Sequence, residues 1–151
     1  MPAIVDSKGV PLINPIVYDS TIADCRLAID DINKIINNKS IMRATRKVKG
    51  KIYLLADSGY DTKEIRKLLK KHNITAIIKP NNRGTKDPKK LRYLNKLENQ
   101  YYKKRTIVEH FFGFIKRFPK VNCVYERTKK SYQGILSIIF TLKTISMLHK
   151  K

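Results

Sequence analysis

The sequence predicts an α/β fold, a mixed sheet flanked by helices. Two compact apolar runs, KIYLLA at Lys51–Ala56 and ITAII at Ile74–Ile78, have the length and β-branched content of buried strands. Between them, Asp61 or Thr62 can cap a helix that runs to about Lys71. Strand, turn, helix and strand in this order make a βαβ unit, and such a crossover implies parallel strands. A third observation is helical periodicity in two apolar segments near the end of the chain.

The remaining elements follow in order. Ala3–Val5 and Val10–Val17 are short apolar runs separated by Ser7-Lys8-Gly9, which is turn chemistry, so a β-hairpin is expected. Asp19 and Ser20 can cap a helix to about Asn37, with Ile22, Cys25, Ile29, Ile32 and Ile36 at helical spacing. Residues 38–50 read as a basic loop. Pro80 stops the second strand, and residues 80–100 are polar and basic with a helical hint at Lys89–Leu97. A helix is expected from about Tyr101 to Phe118, ending before Pro119, and a terminal, buried helix over about Ser131–His149. No internal repeat is visible, and 151 residues suit one domain with one core.

Hydrophobic content of 42% is enough to fold, which excludes a disordered basic tail. Net charge is +21, from 33 Lys and Arg against 12 Asp and Glu. Such an imbalance points to a polyanionic partner, and nucleic acid is the commonest one. Basic segments 38–51, 79–92 and 127–130 can track a DNA backbone or serve as solvated loops. Cys25 and Cys123 form no CxxC pair and argue against a zinc site or a disulfide framework. MPAIVDSKGVPL lacks the basic and long apolar regions of a signal peptide. The apolar stretch GILSIIFTLKTISML is interrupted by Lys143 and falls short of the roughly 20 residues of a membrane span. The expected location is therefore inside the cell, with DNA.

Asp57 lies just past an apolar strand, where open α/β sheets bind ligands. Alone, an Asp-Ser-Gly there is equally ordinary turn chemistry. On the helix expected at 101–118, Tyr102, Arg105, Glu109 and Lys116 are spaced by 3, 4 and 7. At about 100° per residue they fall within about 60° of one another, one acid among a phenol and two bases. Ile107, Phe111, Phe114, Ile115 and Phe118 fall on the other side and face the core. A solvated face with Arg105–Glu109 pairing is the plainer account of the same stripe.

The run YYKKRTIVEHFFGFIKR contains Y-x2-R-x3-E-x6-K without deviation. This pattern resembles the signature around the catalytic glutamate of insertion-sequence DDE transposases. LLADSGYDTKEIRKLLKKHNI looks like that family's second-aspartate region, and the 52 residues between Asp57 and Glu109 suit the family's order. IVDSKGVPL also resembles the family's hairpin, which precedes a helix starting near an Asp-Ser pair, here Asp19-Ser20. The resemblance implies an RNase H-like sheet and DNA transposition by metal-dependent cleavage and strand transfer. It implies two Mg²⁺ (or Mn²⁺) ions held by Asp57 and Glu109, with Tyr102, Arg105 and Lys116 on the DNA of the transposon ends. Two such ions about 3.5–4 Å apart activate the attacking hydroxyl and stabilise the leaving oxygen.

The family site needs a third carboxylate, on a first strand that precedes the hairpin, and this chain begins inside that hairpin. The expectation is a partial catalytic domain lacking its first strand: a remnant, or one piece of a split transposase with an N-terminal companion chain or a homodimeric partner. Asp6 reads as a hairpin turn residue, and Asp19 and Asp24 as helix cap and first-turn acids. His110 points about 100° away from Glu109 and suits packing or a phosphate contact; His72 closes a helix, and His149 lies at the frayed end. The competing reading is a non-catalytic basic nucleic-acid-binding protein, which leaves the acidic pair unexplained; a membrane-surface protein using the last helix leaves it unexplained too.

Overall fold

In a computed structural model of the chain, two short strands pair in parallel, Ile52–Ala56 (β1) with Ile74–Ile78 (β2). Their register runs from Ile52 opposite Ile74 to Ala56 opposite Ile78. The structure describes residues 3–17, 24–47, 50–83, 87–122 and 128–149. The chain divides into two compact units, residues 24–105 and residues 1–23 with 106–151.

The strand-bearing unit opens with helices α1 (Asp24–Asn37) and α2 (Lys39–Lys47), followed by β1. A 3-10 turn, Ser58–Tyr60, leads from β1 to α3 (Lys63–Lys71), which packs against β2. Thr62, not Asp61, caps α3: its hydroxyl accepts the Ile65 N–H at 3.2 Å. The helix closes at His72, and Asn73 takes the left-handed conformation (φ 58°) that a short amide side chain tolerates there. Helix α4 (Lys96–Tyr102) touches both strands. Buried Ile65 and Leu69 of α3 and Ile77 and Ile78 of β2, with Leu27 and Ile32 of α1, supply this unit's apolar interior.

Three expectations change here. Residues 38–50 are not all loop: α2 occupies 39–47, started by Asn38, whose carboxamide oxygen accepts the N–H groups of Ser40 and Ile41. The helical hint at Lys89–Leu97 resolves into a 3-10 turn at Pro88–Lys90 and the first residues of α4. A capping box sets that start, Asn95 accepting from the Glu98 N–H while the Glu98 carboxylate accepts from the Asn95 N–H. Among the described residues the sheet has two parallel strands, so it is smaller than the expected mixed sheet.

The second unit is helical. It contains α5 (Thr106–Ile115), the short α6 (Pro119–Asn122) and α7 (Lys129–Leu148). Phe111 and Ile115 pack with Leu136, Ile139 and Phe140 of α7, and Ala3, Val5 and Val17 join this core. The Phe111 and Phe140 rings meet edge to face at 5.0 Å. The segment before residue 17 turns back on itself through a single antiparallel bridge, Val5 to Pro11, with Gly9 at φ 82°. The terminal helix expected to be buried is buried along one side: Leu136, Ile139 and Phe140 are in the core, whereas Ile138 is 63% and Leu148 68% exposed. A helix of 20 residues packed on one side keeps its other side in water. Among the described residues no helix is long and apolar enough to cross a membrane.

Candidate functional site

Strand β1 delivers Asp57 to its carboxyl end, next to the end of β2, where Lys79 continues the ladder by donating its N–H to the Ala56 carbonyl at 3.4 Å. Asp57 caps the 3-10 turn that follows, its Oδ1 accepting the Ser58 N–H at 2.7 Å. The Tyr102 hydroxyl donates to the same oxygen at 3.3 Å. The neighbouring Tyr101 ring stacks on Tyr53 of β1 with centroids 4.8 Å apart, so the end of α4 is fastened to the sheet at two successive residues. Arg105 lies over the Tyr102 ring, its Cζ 5.6 Å from the centroid.

The electrostatics follow from these contacts. The Ser58 N–H, followed by the positive charge of Arg105, the Tyr102 hydroxyl and Lys79, holds the Asp57 carboxyl below the ordinary aspartate range despite some loss of water. Partial burial, reinforced by the Asp57 charge and opposed by Arg105, pushes the Tyr102 phenol up. Tyr102 is thus a neutral donor and Asp57 an exposed anion at neutral pH. One oxygen of Asp57 is held in place while Oδ2 accepts no hydrogen bond among the described residues. That arrangement suits a carboxylate ligand of a hard divalent ion.

The decisive observation is at the level of family. The family model described as transposase DDE domain matches residues 54–147, more than half of the chain. The chain belongs to the transposase DDE domain family. No curated protein and no solved structure matches it. The match begins inside β1 and takes in Asp57, Tyr102, Arg105, Glu109 and Lys116.

Within this DDE domain the predicted stripe is not on one helix. The expected helix at Tyr101–Phe118 is replaced by the end of α4, a 3-10 turn at Lys103–Arg105 and α5 from Thr106. The winding tightens just after Tyr101 and Tyr102 are tied to β1 and to Asp57, and at three consecutive cations. Tyr102 and Arg105 are brought to Asp57 in the strand-bearing unit. Glu109, an exposed first-turn acid of α5, and Lys116, an exposed residue just beyond its end, belong to the helical unit. His110 is exposed on α5.

Among the described residues no group of three or more His, Cys, Asp or Glu side chains forms a metal cluster. Asp6 is committed elsewhere: its Oδ1 accepts the Lys8 and Val10 N–H groups at 2.8 and 2.9 Å, which fixes the turn. Asp24 opens α1, and Asp19, Cys123 and residue 127 lie outside the described residues.

One residue of the site region escaped the sequence reading. Asp61, which reads there only as a helix cap, has a buried side chain, 1% exposed, that binds Arg66, Arg92 and the Asn81 N–H. Burial pushes its carboxyl up, but those three donors outweigh burial and leave it below the ordinary value. Its recurrence four residues after Asp57 in DSGYD was the available signal; the partners, up to 31 residues away, were not readable locally.

Proposed function

We propose that this chain is the catalytic part of a DNA transposase that cleaves and joins DNA at transposon ends, a single catalytic domain of RNase H-like type. Asp57 and Glu109 are its metal-ligating carboxylates, and Tyr102, Arg105 and Lys116 contact the DNA or position it. The observation that carries this reading is Asp57 at the carboxyl end of β1, ionised, with one oxygen fastened by Ser58 and Tyr102 and the other open to a ligand.

Mg²⁺ or Mn²⁺, when bound, supplies charge that activates an attacking hydroxyl and stabilises the leaving oxygen. The protein's own groups do the rest. Tyr102 fixes the rotamer of Asp57, and Arg105 offers a planar donor set suited to a phosphate. Lys116 adds a mobile positive charge.

Nicking of supercoiled DNA in Mn²⁺ tests the proposal. The protein nicks, and Asp57→Asn and Glu109→Gln each abolish the activity. Salt-dependent DNA binding without any Asp57-dependent cleavage or metal binding makes the chain a basic binding module instead.

A further inference from the structure

The turn that begins at Asp57 ends at Asp61, whose N–H donates to the Ser58 carbonyl at 3.2 Å. Two donors reach Asp61 from the chain beyond β2. The Asn81 N–H donates to Oδ2 at 2.8 Å, and the Arg92 guanidinium joins the same oxygen. From α3, Arg66 Nε donates to Oδ1 at 2.6 Å, and Arg66 Nη2 also donates to the Ile78 carbonyl at the end of β2 at 3.2 Å. A second tie lies beside the first. The Asn82 carboxamide donates to the Arg92 carbonyl at 2.8 Å and accepts the Arg92 N–H at 3.2 Å.

These bonds fasten the two ends of the segment between Asn81 and Arg92. The segment carries Arg83, Lys89 and Lys90, all exposed, and it follows Lys79, whose charge is felt at Asp57. Arg66 of α3 and Arg92 are both paired with Asp61. A buried carboxylate among polar donors costs desolvation and adds little net stability over a well-packed apolar group. What it adds is geometry: Asn81 and Arg92 are already fixed at the turn, so binding need not take that freedom from them.

We infer that Asp61 is a positioning residue, which ties Asn81 and Arg92 to the turn that begins at Asp57 so that the nearby Arg83, Lys89 and Lys90 meet the phosphates of the DNA next to that carboxylate. The inference rests on the DNA-binding reading of the chain.

The full chain and its Asp61→Asn and Asn82→Ala variants are titrated with duplex DNA over a range of salt concentrations. Amide hydrogen exchange is measured on each protein without DNA. Asp61→Asn raises the positive charge of the chain, so simple electrostatics predicts tighter binding. The positioning role predicts the opposite: binding weaker by about tenfold to a hundredfold, and a salt slope smaller by about 2, as for two lost phosphate contacts. Asn82→Ala, which changes no charge and no core residue, weakens binding in the same direction. In both variants the Arg92 amide exchanges faster, and in Asp61→Asn the Asn81 amide does too, while the amides of β1 and β2 stay protected. Wild-type DNA binding with Asp61→Asn binding as tightly or more tightly overturns the inference alone. Unchanged exchange at Asn81 and Arg92 overturns it as well. Failure of the wild-type chain to bind duplex DNA overturns the DNA-binding reading, and the inference with it.

Discussion

The hydroxyl of Tyr102 donates to Oδ1 of Asp57 across 45 residues of sequence, and the same oxygen is the N-cap acceptor of the turn that follows β1. A phenol at the end of α4 thereby touches a carboxylate at the end of a strand, whose closer donor is the Ser58 N–H at 2.7 Å. Removing the hydroxyl in Tyr102→Phe takes away one of the groups that favour the ionised acid. The Asp57 carboxyl moves up toward the ordinary value, only part of the way, because the Ser58 N–H is the larger influence and remains. Stability changes by less than about 1 kcal/mol, as befits one exposed hydrogen bond. NMR titration of the Asp57 carboxyl carbon checks this, and an unmoved midpoint contradicts it.

Asp61 gives the chain a pH dependence of defined sign. Its carboxyl lies below the ordinary aspartate value in the folded protein. The stability it contributes is therefore complete above the unfolded-state value of about 3.9 and is lost as pH falls through the lower folded value. Thermal melts between about pH 2 and 5 should show the wild-type midpoint falling more steeply with acid than that of Asp61→Asn. Parallel acid limbs for the two proteins argue against the ion-paired state of Asp61.

Phe111 is 1% exposed and meets Phe140 edge to face in the helical unit. Phe111→Ala leaves a cavity among Ile115, Leu136 and Ile139 and costs about 3–5 kcal/mol. Chemical denaturation measures the loss. A cost below about 1 kcal/mol shows that these helices do not share this core.

The elements legible in the sequence are those whose signals are local. β1 and β2 were readable from apolar β-branched runs, and β2 falls at the predicted residues. α3 was readable from its capping chemistry at Asp61 or Thr62, and it ends at Lys71 as predicted. Of the predicted core face, Phe111 and Ile115 are buried and Phe114 and Phe118 pack beside them, whereas Ile107 is half-buried outside this cluster. Lys143, which interrupts the apolar run of α7, lies with its Nζ 4.9 Å from the centre of the Phe114 ring. α2 was hidden by its charge, although Asn38 announced its start. The break between α4 and α5 was not legible, because it follows tertiary ties of Tyr101 and Tyr102 and not a proline or glycine. For the same reason Asp61 looked like a cap: its partners come from α3 and from the segment after β2. The family was legible because its signature is a spacing of residue types, which survives a wrong guess about the helix that carries them.

The proposed function requires Asp57 and Glu109 at one metal centre. A crystal structure of the chain with Mn²⁺ decides this. Anomalous density for Mn²⁺ about 2 Å from an Asp57 oxygen, with a Glu109 oxygen on the same ion or on its neighbour, is the predicted result. Well-ordered Asp57 and Glu109 carboxylates more than roughly 10 Å apart, with no ion on Asp57, contradict it, because a metal–oxygen bond is only about 2 Å long and two ions about 4 Å apart cannot bridge that distance.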